Sequence, residues 1–244
     1  MTTSSATTAS PAVGANRAGA QIIETLMVAL LLGVAGYCAL FVAPTERTMG
    51  VIQRIFYFHV PSWWCGFVAF AIVFVSNIAY LRERSPKWDW LAVSAAEIGV
   101  AFITVGLVTG PIWAHPVWGI WWTWDARLTS AFVLWVLYVS YLLLRTLVDE
   151  PERRAVVSAV FGVFAACDIP LVYFSIWFFR TQHPQPVIGD GGSLDPTMGR
   201  VLLLCWAAML GVMVLLLRQR YRLEALRWEV DRLRLESGRG EDRV

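Results

Sequence analysis

Six apolar stretches, at about residues 22–43, 62–81, 91–113, 128–148, 155–179 and 198–217, leave this chain few ways to fold. Each is close to the ~20 residues that carry a helix across a ~30 Å hydrocarbon core. A segment there must bond its own backbone groups, so only helices and closed barrels cross. Barrel strands show as alternating segments of about ten residues, and the sequence has none. With 57% apolar and 16% charged residues, the fold expected is an all-α integral membrane protein of six transmembrane helices.

Lysine and arginine placement sets the expected orientation. One set of segment ends carries fifteen of them: Arg17, Arg82, Arg84, Lys87, Arg145, Arg153, Arg154 and the eight arginines from Arg218 on. The other set carries five, Arg47, Arg54, Arg127, Arg180 and Arg200. Both termini are therefore expected in the cytoplasm, and the connection between segments three and four faces outward. Residues 1–21, rich in Ser, Thr, Ala and Gly, read as a disordered tail. The first apolar run is too long for a signal-peptide core. Residues 218–244 read as a cytoplasmic basic helical tail, with Leu223, Leu226, Val230 and Leu233 spaced 3, 4 and 3. That pattern suits a docking helix for a partner or an interfacial helix on membrane lipid.

The outward connection holds Trp118, Trp121, Trp122 and Trp124, followed by Asp125 and Arg127. Indoles gather at membrane boundaries or around flat aromatic ligands, and the adjacent anion and cation favour a ligand that is planar and partly charged. Eight of the 13 tryptophans and all three histidines fall on this side. Ile52, Ile55, Phe56 and His59 follow a helical stripe, read as a short surface helix before Pro61 opens segment two. Arg54 lies about 140° from His59 on a regular helix. His183 precedes Pro184, which favours an extended turn, and the connection on to Asp195 reads as irregular, a possible lid. Two neutral imidazoles could bind iron from opposite sides, indoles could cover a macrocycle, and arginine could pair with a propionate. Haem is the ligand that fits best, with His59 and His183 as axial ligands. His115 lies beside the tryptophans and is left out.

Glu97 and Asp168 fall within spans, where a carboxyl is costly and faces the bundle interior or a hydrogen-bond partner. The cysteines, Cys38, Cys65, Cys167 and Cys205, lie in four different segments without C-x-x-C spacing and read as small buried hydrophobes.

Three stretches, Gln53–Ser62, Ala96–Gly99 and Trp118–Ser130, closely resemble the haem exporter protein C family of bacterial cytochrome c maturation, within the wider haem-handling proteins that carry a WWD domain. The resemblance covers 22 to about 217. It implies a multi-pass inner-membrane protein, not an enzyme, that holds haem b at the periplasmic face between His59 and His183. The cofactor-binding set it implies adds Trp118, Trp121, Trp122, Trp124 and Asp125, with Arg54 and Arg127 as cations. The implied partners are a periplasmic haem chaperone, the membrane and ATPase subunits of an ABC transporter, a small single-span accessory subunit and lipid; no nucleic acid is expected. The rival readings are a haem-translocating permease subunit, a b-type electron-transfer cytochrome and a tryptophan-anchored scaffold.

Overall fold

The computed structural model describes residues 11–181, 183 and 194–241, and these are helical apart from their connections. Helix α1 spans Pro11–Tyr37 and runs into a π-turn, Cys38–Val42; a 3-10 turn, Val51–Ile55, leads directly into α2, Phe56–Glu83. Then follow α3 (Pro86–Trp118), α4 (Ala126–Thr146), α5 (Pro151–Ala165), α6 (Asp168–Phe178) and α7 (Pro196–Glu241). Six stretches are long and apolar enough to cross a membrane: Gly19–Val42, Val51–Glu83, Pro86–Trp118, Ala126–Thr146, Pro151–Phe178 and Pro196–Arg234. The chain thus has the six-helix membrane architecture that its hydropathy implies.

Local chemistry explains the helix ends. Pro86 and Pro151 open α3 and α5, where a missing N–H costs nothing. Glu150 caps α5 by accepting the Glu152 and Arg153 N–H groups. Arg84, at φ 54°, closes α2 by donating its N–H to the Tyr80 carbonyl. The fifth span is broken at Ala166 and Cys167. Pro170 has no N–H for the Ala166 carbonyl and its ring crowds that residue, and the Ile169 N–H takes the carbonyl instead at 3.2 Å.

Several details differ from the sequence reading. The first helix already begins at Pro11, inside the stretch whose composition suggests a tail. There is no separate surface helix before segment two: His59 and Pro61 both lie within α2. A proline this near the helix start removes only one bond, the one to the Tyr57 carbonyl. Cys65 and Cys205 are buried, but Cys38 is half-buried and Cys167, at the α5–α6 break, is exposed. Glu97 forms an ion pair with Arg220 of α7, and Asp168 is buried with its Oδ2 unpartnered.

The core lies between α2, α3 and α4, around Phe70, Val73, Ile103, Leu134, Tyr138 and Tyr141. Small residues bring α2 and α3 close. A Cβ at Gly99 would lie 2.4 Å from Phe70 Cε1, and Phe70 is stacked on Tyr138 at 3.6 Å, so the ring has no room to retreat. Gly99→Ala is expected to cost about 1–3 kcal/mol, measured as a lower Tm in detergent. Gly19→Ala, which meets nothing within 4 Å, should not lower it. At about 1.5 Å per residue, the 46 residues of α7 run well past a ~30 Å core. Its projecting end is pinned to α3 through Trp90, which meets Tyr221 and Trp228 at 6.0 and 5.6 Å. Leu223, Leu226, Val230 and Leu233 remain exposed.

Candidate functional site

His59 sits near the start of α2, 6% exposed, with its ring against α3. Its Nδ1 lies 2.9 Å from Thr109 Oγ1. The indoles of Trp63 and Trp113 meet the ring edge-on, at centroid distances of 6.4 and 5.8 Å. Two glycines of α3 make the space. A Cβ at Gly106 would strike the Trp63 indole at 2.5 Å, and one at Gly110 would stand 3.3 Å from His59 Cε1.

α3 ends at Gly119, at φ 73°, whose N–H bonds the His115 carbonyl at 2.8 Å. Glycine takes that left-handed conformation without penalty, and the chain reverses into the tryptophan connection. Trp118, Trp121 and Trp124 are exposed, while Trp122 buries its Nε1. His115, left out of the ligand candidates in the sequence reading, stacks on Trp121 at 4.2 Å and 18°.

Asp125 ties this connection together. Its Oδ1 accepts the Leu128 N–H at 3.0 Å, capping α4, as short acidic side chains do. Its Oδ2 accepts the hydroxyls of Thr123 at 3.0 Å and Thr181 at 2.9 Å. Thr181 in turn accepts the His183 N–H at 3.1 Å. One carboxylate therefore joins the tryptophan connection to the segment that carries His183. Asp125→Ala is expected to lose about 1 kcal/mol of helix capping and to release the His183 segment. Asp125→Asn should keep part of both, and melting curves with haem titrations separate the two effects.

His183 and Arg127 both lie within electrostatic range of the His59 imidazole. Two histidines 124 residues apart in sequence and one guanidinium thus share one end of the bundle. Arg127 forms no salt bridge among the described residues. Arg54 is differently placed. Its Nη1 donates to the Ala39 carbonyl at 2.6 Å and its Nη2 to the Ala43 carbonyl at 3.2 Å. The reason lies in the π-turn at the end of α1, which leaves carbonyls that need a donor, so this arginine caps a helix instead of joining the histidines. The lid suggested for the connection to Asp195 falls on 184–193, outside the described residues.

The chemistry of the set fits haem. Among the described residues no group of three or more His, Cys, Asp or Glu could hold a bare metal ion. Two imidazoles make a complete axial pair for an iron that already carries its four equatorial nitrogens. Trp113 Nε1, Trp122 Nε1 and Thr129 Oγ1 are buried with no hydrogen-bond partner among the described residues. Such groups are expensive to leave unpaired.

The family model described as Heme exporter protein C matches residues 5–236. The chain belongs to the haem exporter protein C family. Among the relatives of this family member is "Heme exporter protein C" of Bradyrhizobium diazoefficiens, 33% identical over 221 residues, covering 89% of this chain and 82% of that protein. The protein of the same name from Haemophilus influenzae is 29% identical over 205 residues, covering 83% of each chain. A ccmC-like mitochondrial protein of cytochrome c biosynthesis from Marchantia polymorpha is 32% identical over 163 residues, covering 67% of this chain and 69% of its own length.

Residues that sequence reading missed are Thr109, Thr181 and Gly106. Their roles depend on contacts across as many as 56 positions, and no local spacing signals such contacts.

Proposed function

We propose that this chain holds haem b between His59 and His183 at the periplasmic face of a bacterial inner membrane and presents it to a periplasmic haem chaperone. Family membership supports the broader role, haem handling for cytochrome c biogenesis. The observation that carries the finer reading is the convergence of His59, His183 and Arg127 beside the tryptophan connection. In this reading the two imidazoles are the axial ligands and Arg127 pairs with a propionate. Trp118, Trp121, Trp122 and Trp124 cover the ring, and Asp125 holds the His183 segment in place. The exposed indoles leave an edge that an incoming chaperone can reach. The chain's part is to bind, orient and release its cargo; no bond of the porphyrin is made or broken by these residues.

The arginine-rich end of α7 supports a cytoplasmic C-terminus. The expected partners there and in the membrane are the ATPase and membrane subunits of an ABC transporter and a single-span accessory subunit. Passage of haem through the bundle is disfavoured by the filled interior, where Phe70, Ile103, Leu134, Tyr138 and Tyr141 are fully buried. Electron transfer across the membrane is disfavoured because the candidate ligands sit at one end. Titration of the detergent-purified protein with ferric haem tests the reading. One equivalent should bind with a low-spin absorption pattern, and transfer to the apo form of a haem chaperone should follow. A protein that stays colourless overturns it.

A further inference from the structure

We propose that Thr109 is a positioning residue that fixes the tautomer of His59, holding the ring as the Nδ1–H form and leaving Nε2 as a bare lone pair. Thr109 Oγ1 lies 2.7 Å from the Val105 carbonyl and 3.3 Å from the Gly106 carbonyl. Both are acceptors only, so the single hydroxyl hydrogen is directed into the helix, the usual back-bond of a threonine in a helix interior. With its hydrogen so directed, Oγ1 presents a lone pair to His59, and we assign the hydrogen shared across the 2.9 Å contact to Nδ1.

A neutral imidazole has one N–H, and the hydrogen bond made by one nitrogen decides the state of the other. With Nδ1 committed to Thr109, Nε2 is unprotonated before any ligand arrives. The edges of Trp63 and Trp113 and the gap at Gly110 hold the ring plane. Sequence gives no sign of this pairing, since the partners are 50 positions apart. The tautomer follows from this geometry alone; its use rests on the haem reading above. For iron ligation, the arrangement supplies a preformed nitrogen ligand whose basicity is raised by donation from its other side.

The test uses the full chain, haem-free in detergent near neutral pH, labelled with nitrogen-15 histidine. The chain has three histidines, and His59→Ala assigns the signal. Two-bond proton–nitrogen correlations should show His59 with a protonated Nδ1 and a bare Nε2. Thr109→Val, which keeps the shape and removes the acceptor, should shift it toward Nε2–H; Thr109→Ser should retain the wild-type pattern. In haem titrations Thr109→Val should bind about 10–100-fold more weakly, the usual cost of losing the partner of a ligating histidine, and Thr109→Ser should bind normally. A wild-type His59 in the Nε2–H form overturns the inference whatever haem does, and needs no variant to fold. A Thr109→Val protein with unchanged tautomer overturns the role of Thr109. A wild type in the Nδ1–H form that takes up no haem contradicts the haem reading and leaves the tautomer assignment standing.

Discussion

His59→Ala and His183→Ala should each strip most of the haem from the protein and abolish its low-spin spectrum. The two side chains come from different parts of the chain, His59 from the first turn of α2 and His183 from the segment beyond α6, so neither can stand in for the other. Loss of a ligand outright should weaken binding by more than the ~10–100-fold that loss of a ligand's hydrogen-bond partner costs. His59→Gly opens the pocket between Trp63 and Trp113, and added imidazole should restore the low-spin pattern there. His115→Ala should leave the spectrum intact, because that ring stacks on Trp121 and not beside His59. The readout is haem retained after washing, by absorption. Full occupancy with an unchanged spectrum in both single variants would remove the ligand assignment.

The second large effect lies at the other end of the bundle. Arg145, in the last turn of α4, donates through Nη1 and Nη2 to the two carboxylate oxygens of Asp89 at 2.6 and 2.8 Å, and the side chains are 10% and 15% exposed. Each charge also suits its own helix end, Asp89 at the N-terminus of α3 and Arg145 at the C-terminus of α4. The guanidinium lies 5.9 Å from the Tyr141 ring centroid, in the core itself. Arg145→Ala would strand a largely desolvated carboxylate, with an expected loss of about 3 kcal/mol, the lower end for a buried pair. The double variant with Asp89→Ala should recover a good part of it, because the cost comes from the orphaned charge more than from the pair. Thermal unfolding of the four proteins in detergent measures the cycle. Equal stability of Arg145→Ala and wild type would show that water reaches this pair freely.

Hydropathy alone disclosed the six spans, because a bilayer punishes any other arrangement of such stretches. The break in the fifth was legible only as Pro170, whose effect on the Ala166 carbonyl needs the backbone to be seen. The tryptophan connection and its flanking Asp125 and Arg127 stood out in sequence because indoles and charges rarely sit together by accident. What Asp125 does was not legible. Its link to Thr181 joins connections 56 positions apart, and a capping aspartate looks the same in sequence whether or not it also fastens a second loop. Arg54 drew attention as a cation near His59, but the carbonyls it serves exist only because α1 ends in a π-turn. Composition suggests a tail over residues 1–21; residues 1–10 lie outside the described residues, and α1 begins at Pro11.

The central claim is that His59 and His183 grip one iron from opposite sides. Low-temperature electron paramagnetic resonance of the protein loaded with one equivalent of ferric haem tests it most directly, with each single histidine variant beside it. A low-spin bis-imidazole signal in the wild type, replaced by a high-spin signal in both variants, is the expected result. A high-spin wild type, or a bis-imidazole signal that survives loss of either histidine, would contradict it.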